Sequence, residues 1–290
     1  MKRVRNKPLA MLLAVLMVLL MVPAAFAEGG TEANRTDPLD FTSETASEDK
    51  LDAEGWKWDA SKKTLTLNGL RLETEAGIAI NLPADATINV TGDNYVKANG
   101  VATTSSDKSA GIEFAGAATI TSDSKGTLKA YGCSDASCTN SYGIYYTAGE
   151  LKINGDVILE AYGGAAKEYS FGIRSNHDHG ALTISGNAQV NAYGGAAGSQ
   201  SSYGILSGAL TITGDAQVVA EGGEADFISA GIGTYQSLTL EGSAIIEAQG
   251  GKAIPANTSY DGYSYGIYNY GGSAYTSTIG GSAEVKASAG

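Results

Sequence analysis

The chain has 290 residues, with 19 basic and 31 acidic side chains and a formal net charge of −12 at pH 7. An acidic surface of that kind repels nucleic acid and anionic membranes and favours cations, which excludes a polyphosphate-binding role. Its 39 glycines follow no Gly-X-Y period and its prolines number only 5, so the glycines belong to the turns of a folded array.

Residues 1–27 begin with Lys2, Arg3, Arg5 and Lys7, run apolar from Leu9 to Val22 and close on Ala25-Phe26-Ala27. A basic start, a short apolar core and an A-x-A site predict a signal peptide cut after Ala27. The apolar run falls short of the roughly 20 residues a spanning helix needs, and no second run follows. No membrane insertion is therefore expected after cleavage, and the mature protein is expected to be secreted or held at the cell surface. Four of the basic residues and none of the acidic ones lie in this leader, which leaves 15 basic against 31 acidic residues.

Residues 28–50 are acidic and rich in Ser and Thr, with little that can pack, and read as a flexible acidic leader. From residue 51 to residue 290 the chain reads as one repeat domain. Its opening segment, GWKWDASKKTLTLNG, carries Trp56 and Trp58 and is expected to cap the array or to form its first rung.

One block then recurs: LKINGDVILEAYGG at 151–164, LTISGNAQVNAYGG at 182–195, LTITGDAQVVAEGG at 210–223 and LTLEGSAIIEAQGG at 238–251. A shorter block, SYGI, SFGI or SAGI, precedes each of these and occurs once more at Ser264, placing central glycines at Gly143, Gly172, Gly204, Gly231 and Gly266. Weaker copies near Leu65, Ala86, Ala118 and Ser277 extend the array in both directions. Within a copy, apolar and polar residues alternate on both sides of a Gly-Asp, Gly-Asn or Gly-Ser break, as in Leu210 and Ile212 before Gly214-Asp215 and Ala216, Val218 and Ala220 after it. Period two on either side of a bend means two half-buried strands, and the YGI block supplies a third.

No strand has a partner inside its own copy, so each must pair with its equivalent one rung away. Stacking at about 4.8 Å per rung gives three parallel sheets around one core, and the fold predicted is an all-β, right-handed parallel β-helix of about eight coils. Its interior columns are Ile153, Ile184, Ile212 and Leu240 in one sheet and Ala130, Ala161, Ala192, Ala220 and Ala248 in another. A propeller or antiparallel sandwich is the runner-up, but it would need a hairpin turn after each strand.

Outward positions form further columns. Lys129, Glu160, Asn191, Val219, Glu247 and Lys286 make one, with opposite charges on adjacent rungs. Tyr131, Tyr162, Tyr193, Glu221 and Gln249 make the next, whose three phenols are expected to form a flat aromatic strip. Sugar rings have apolar faces that pack on aromatic planes, which makes Tyr131, Tyr162 and Tyr193 candidate carbohydrate-binding residues; tyrosines that merely stack to support the sheet are the alternative. The variable loops after each Gly-Gly leave from one edge, and the longest leads into Tyr260, Tyr263, Tyr265, Tyr268, Tyr270 and Tyr275, a second candidate surface.

Cys133 and Cys138 enclose a four-residue loop, and in an exported protein a local disulfide is their natural state, with free thiols as the alternative. His177-Asp178-His179 is the only histidine-bearing segment and lacks further visible ligands, so no metal site is assigned. Calcium, through oxygen ligands of the acidic loops, is the one cofactor left open. No copy departs from the repeat to insert the paired carboxylates of a hydrolase or the cation site and base of a lyase, so no catalytic residues are expected.

The run GWKWDASKKTLTLNG followed by AINLPADATINVTGDN resembles the opening of secreted or surface proteins of Gram-positive bacteria described as carbohydrate-binding-domain, adhesin-like β-helix proteins. The resemblance covers the first forty residues of the solenoid and reaches the SYGI and LTI-x-G copies by pattern only. It implies a right-handed β-helix and binding of acidic or plant-type polysaccharide. The expected role is a non-catalytic, glycan-binding or adhesin-like module whose partner is a polysaccharide or cell-surface glycan. A structural stalk is the alternative and a lyase or hydrolase the third reading. A partner, end to end or otherwise, is also expected at the C-terminal end of the solenoid.

Overall fold

The computed structural model describes residues 33–101, 108–176, 180–255, 261–271 and 275–290. The predicted signal peptide and the His177-Asp178-His179 segment lie outside the described residues. Among those residues no helix is long and apolar enough to cross a membrane.

Three sheets, of ten, eight and eight strands, stack as a parallel β-helix. The chain visits them in turn. Leu210–Ile212 lies in the first sheet, Gln217–Glu221 in the second and Ile228–Thr234 in the third, and the next circuit begins with Leu238–Leu240. From Arg71 onward the strands pair in parallel with their equivalents on neighbouring rungs, and both predicted interior columns exist in register. Ile153, Ile184, Ile212 and Leu240 pair in succession, as do Ala130, Ala161, Ala192, Ala220 and Ala248. All are essentially buried. Each such branched side chain contributes roughly 1.5–3 kcal/mol through burial.

The Gly-Asp breaks are the bends between the first two sheets. Gly155, Gly186, Gly214 and Gly242 all adopt left-handed φ values of 72–75°, a region closed to most residues. The following polar residues then lie one above another, and Asn187 Nδ2 donates to Asp156 Oδ1 at 2.7 Å.

The SYGI block is a second corner device. Its Ser side chain points inward, its aromatic residue outward and its Ile into the core. The intervening Gly presses on the second sheet: a Cβ on Gly172 would lie 2.6 Å from Tyr193 N, and one on Gly204 would lie 2.5 Å from Glu221 N. Ser141, Ser170, Ser202 and Ser229 are completely buried and each ties two rungs together at the corner. Ser202 Oγ donates to Gly195 O at 2.8 Å and accepts from Gly223 N at 2.8 Å; Ser170 and Ser229 do the same on the rungs to either side.

The N-terminal end differs from expectation. Residues 33–50, read from the sequence as a flexible acidic leader, instead begin the solenoid. Arg35 bridges Leu72 of the second sheet, Leu39–Asp40 pairs with Ile80 and Asn81 of the third, and Glu48–Lys50 runs antiparallel to Trp56–Asp59. Two apolar residues hidden among the acidic ones explain this. Leu39 and Phe41 are buried, and Phe41 stacks on Trp58 with centroids 4.6 Å apart. Trp56–Asp59 in turn pairs antiparallel with Thr64–Asn68, so the two tryptophans are buried at the N-terminal end of the first sheet, one strand in from its edge.

Ser202→Ala leaves the partly buried Gly223 N–H and Gly195 carbonyl without this partner. A loss of about 1–3 kcal/mol is expected in denaturant unfolding; a change indistinguishable from zero would remove the serine column from the list of stabilising features.

Candidate functional site

The second sheet places Tyr131, Tyr162 and Tyr193 directly above one another on its outer face. In-register stacking forces their rings into contact, because the rung spacing is about 4.8 Å. The Tyr131 and Tyr162 rings are 4.5 Å apart and 3° from parallel, and those of Tyr162 and Tyr193 are 4.9 Å apart and 14° from parallel. Tyr95 leans over from the adjacent column to tilt against Tyr131 at 5.1 Å, and the Arg71 guanidinium lies over Tyr95 at 5.0 Å. The sequence did not single out Tyr95, because it belongs to the neighbouring column.

The charged column runs alongside. Lys129 Nζ lies 3.0 Å from Glu160 Oε2, and Lys286 Nζ lies 3.4 Å from Glu247 Oε1. These are the two pairs expected from the sequence. Tyr162 donates its hydroxyl to the same Glu160 Oε2 at 2.8 Å. Burial, with Glu160 second, pushes the Tyr162 phenol well above its ordinary value. Burial also pushes Tyr193 up to about 12, with help from the charges of Glu221 and Glu160. Past Tyr193 the ladder meets a shallow depression lined by Val219, Glu221, Glu247, Gln249 and Lys286. There Glu221 is raised above the usual carboxylate range by burial and by Glu247.

The geometry changes what the strip can offer. A flat platform needs free ring faces, and here the two faces of Tyr162 are occupied by Tyr131 and Tyr193. The ladder offers ring edges, phenol oxygens and the flanking charges instead.

A second aromatic surface lies on the outer face of the third sheet. Tyr142, Phe171 and Tyr203 pair in register as the aromatic residues of their SYGI blocks, and Tyr265 occupies the same column beyond Ala230. Phe171 stacks between Tyr142, at 5.7 Å, and Tyr203, at 5.5 Å. Tyr203 meets Tyr270 hydroxyl to hydroxyl, and Tyr235 stacks on Tyr270 at 4.8 Å. Along the strand Tyr263–Asn269, the rings of Tyr263 and Tyr265 lie 14° from parallel, and those of Tyr265 and Tyr268 are 4.6 Å apart. Here the surface opens: Phe227, Tyr263, Tyr270 and Tyr275 are 37–46% exposed. Tyr260, the first of the tyrosines expected in this stretch, lies outside the described residues.

Cys133 and Cys138 are brought together as expected, packed against each other in a small buried cluster. The structure holds them as two buried thiols, not as the expected disulfide. The Cys138 thiol is directed at Gly100 O, 3.7 Å away, and Cys133 Sγ accepts the Asp135 N–H at 3.4 Å. One sulfur contact thus lies within the loop and the other ties it to Gly100.

No protein-family model matches the chain, and no curated protein or solved structure matches it. Its function therefore has to be argued from its own surfaces.

The neutral phenols of Tyr162 and Tyr193 are favoured by the folded state. The Tyr193 contribution to stability is whole below its ordinary value of 10.0 and is lost as pH rises from there towards about 12. The thermal midpoint should hold up to pH 10.0 and drop beyond it, and Tyr193→Phe should make that drop shallower. An identical alkaline profile for wild type and variant would show that Tyr193 takes no part in it.

Proposed function

We propose that this protein is a non-catalytic glycan-binding β-helix, adhesin-like in role, working outside the cell or at its surface. The observation that carries this reading is the outer face of the third sheet, where stacked rings end in an exposed group made by Phe227, Tyr263 and Tyr270. Aromatic rings presented beside hydroxyls suit the apolar faces and polar rims of sugars. A rigid solenoid holds such rings in place, so little ordering has to occur on binding. The resemblance of the WKWD and TLTLNG region to surface β-helix proteins of Gram-positive bacteria is in keeping with this role.

The ladder of Tyr131, Tyr162 and Tyr193 is a subsidiary contact in this scheme. Its phenol oxygens and the Lys129–Glu160 pair can hydrogen-bond a polysaccharide lying along the solenoid, while its ring faces stabilise the sheet. The same stacking favours a second reading, a structural stalk, in which the ladder serves rigidity alone.

Retention of the mature protein on a panel of insoluble polysaccharides, with soluble ones as competitors, tests the proposal. Replacing Tyr263, Tyr265 and Tyr268 together by Ala should reduce retention at least tenfold, whereas Tyr131→Ala, Tyr162→Ala and Tyr193→Ala together should weaken it by a smaller factor and lower the thermal midpoint. No retention of the wild type on any glycan would leave the stalk reading in its place.

A further inference from the structure

The opposite end of the same aromatic face carries a polar arrangement that the fold itself does not need. Glu113, Tyr145 and Arg174 occupy one outward column on three successive rungs of the third sheet. Glu113 is only 8% exposed. One of its carboxylate oxygens is held by Lys108 at 2.6 Å, while the other, Oε2, is buried and has no hydrogen-bond partner. An unsatisfied buried carboxylate oxygen costs stability unless something outside the chain satisfies it.

Arg174 is in the complementary condition. Its guanidinium lies over Phe171 at 4.4 Å, with Tyr169 at 5.3 Å and Tyr142 at 5.8 Å. Among the described residues it makes no ion pair and no hydrogen bond, although the chain carries 31 acidic side chains that could have supplied one. Stacking holds the planar group in place while its N–H donors remain available. Lys108, in turn, sits over the Tyr145 ring at 4.3 Å. The result is a phenolic floor of Tyr142 and Tyr145 with a free acceptor on one side and free donors on the other, and with Lys108 and Arg174 partly exposed at its rim.

Charge decides which chemistry fits. An anion would satisfy Arg174 but face the lone pairs of Glu113 Oε2; a cation would do the reverse. A pair of hydroxyls on one rigid ring satisfies both, one donating to the carboxylate and the other accepting from the guanidinium. Glu113 and Arg174 stand two rungs apart on either side of Tyr145, about 10 Å along the solenoid, a span that matches the hydroxyls of one pyranose ring lying across the Tyr145 rung and not a chain of them. We propose that Glu113 and Arg174 form a subsite for the hydroxyl edge of a single neutral pyranose, such as a terminal or branch sugar of a glycan. This inference rests on the glycan-binding reading and adds to it a second, more selective contact on the same face.

Full-length mature protein titrated with the methyl glycosides of glucose, galactose, mannose and N-acetylglucosamine, followed by tyrosine fluorescence or by NMR, tests the subsite. At least one glycoside should bind, and Glu113→Gln and Arg174→Lys, which preserve size and much of the packing, should each weaken binding about tenfold or more. Lys152→Ala, on the outer face of a different sheet, should leave glycoside binding unchanged. Circular dichroism and the thermal midpoint verify that the variants fold. Glycoside binding unaffected by both substitutions, or retention on polysaccharide without any glycoside binding, would overturn the subsite and leave the glycan reading intact. Absence of both glycoside and polysaccharide binding would overturn the two together.

Discussion

Everything distinctive about this molecule depends on one constraint: equivalent residues of successive copies must lie one above another at the spacing of a parallel sheet. Backbone hydrogen bonds between rungs impose that spacing, and the side chains inherit it. At about 4.8 Å, aliphatic side chains pack as a continuous core and planar rings stack. Like charges repel unless they alternate, which is why Lys129 meets Glu160 and Glu247 meets Lys286. A surface column is therefore never a set of independent residues. What each member can do is limited by the copies above and below it.

The corners enforce the constraint. Left-handed glycines at one bend, and glycines with no space for a Cβ at another, allow the chain to turn tightly enough for three short strands to close around a narrow interior. The buried serines then satisfy the amide and carbonyl groups that such tight turns would otherwise strand inside. The SYGI motif thus has a physical meaning at each position: a corner clip, an outward ring, a point of close approach and a core residue. The second lies on the outer face of the sheet, where Tyr142, Phe171 and Tyr203 bury one another and Ala230 then separates them from Tyr265.

The same constraint divides the surface tyrosines by what they can offer. On the second sheet the column is continuous, so the rings consume one another's faces. On the third sheet Ala230 interrupts the column, and Tyr263 and Tyr270 emerge with exposed area. Towards the other end of that face Arg174 and Glu113 retain unused hydrogen-bonding capacity. A rigid scaffold bearing exposed rings at one place and unsatisfied polar groups at another suits the recognition we propose.

The sequence by itself determined the repeat, the strand alternation, the two interior columns, the two ion pairs and the left-handed glycine corners, because each follows from local periodicity and from what stacking requires. It also located Tyr131, Tyr162 and Tyr193 in one column. Tertiary structure alone decided that their ring faces are filled, since the orientation of a ring is set by its neighbours on other rungs. It alone decided that the stretch 33–50 completes the N-terminal end, because the docking of Leu39 and Phe41 on distant partners leaves no periodic signal in so short a segment. The thiol pair of Cys133 and Cys138, the serine clips and the Glu113–Arg174 column were likewise out of reach, for each depends on which hydrogen-bond partners remain once the coils have stacked.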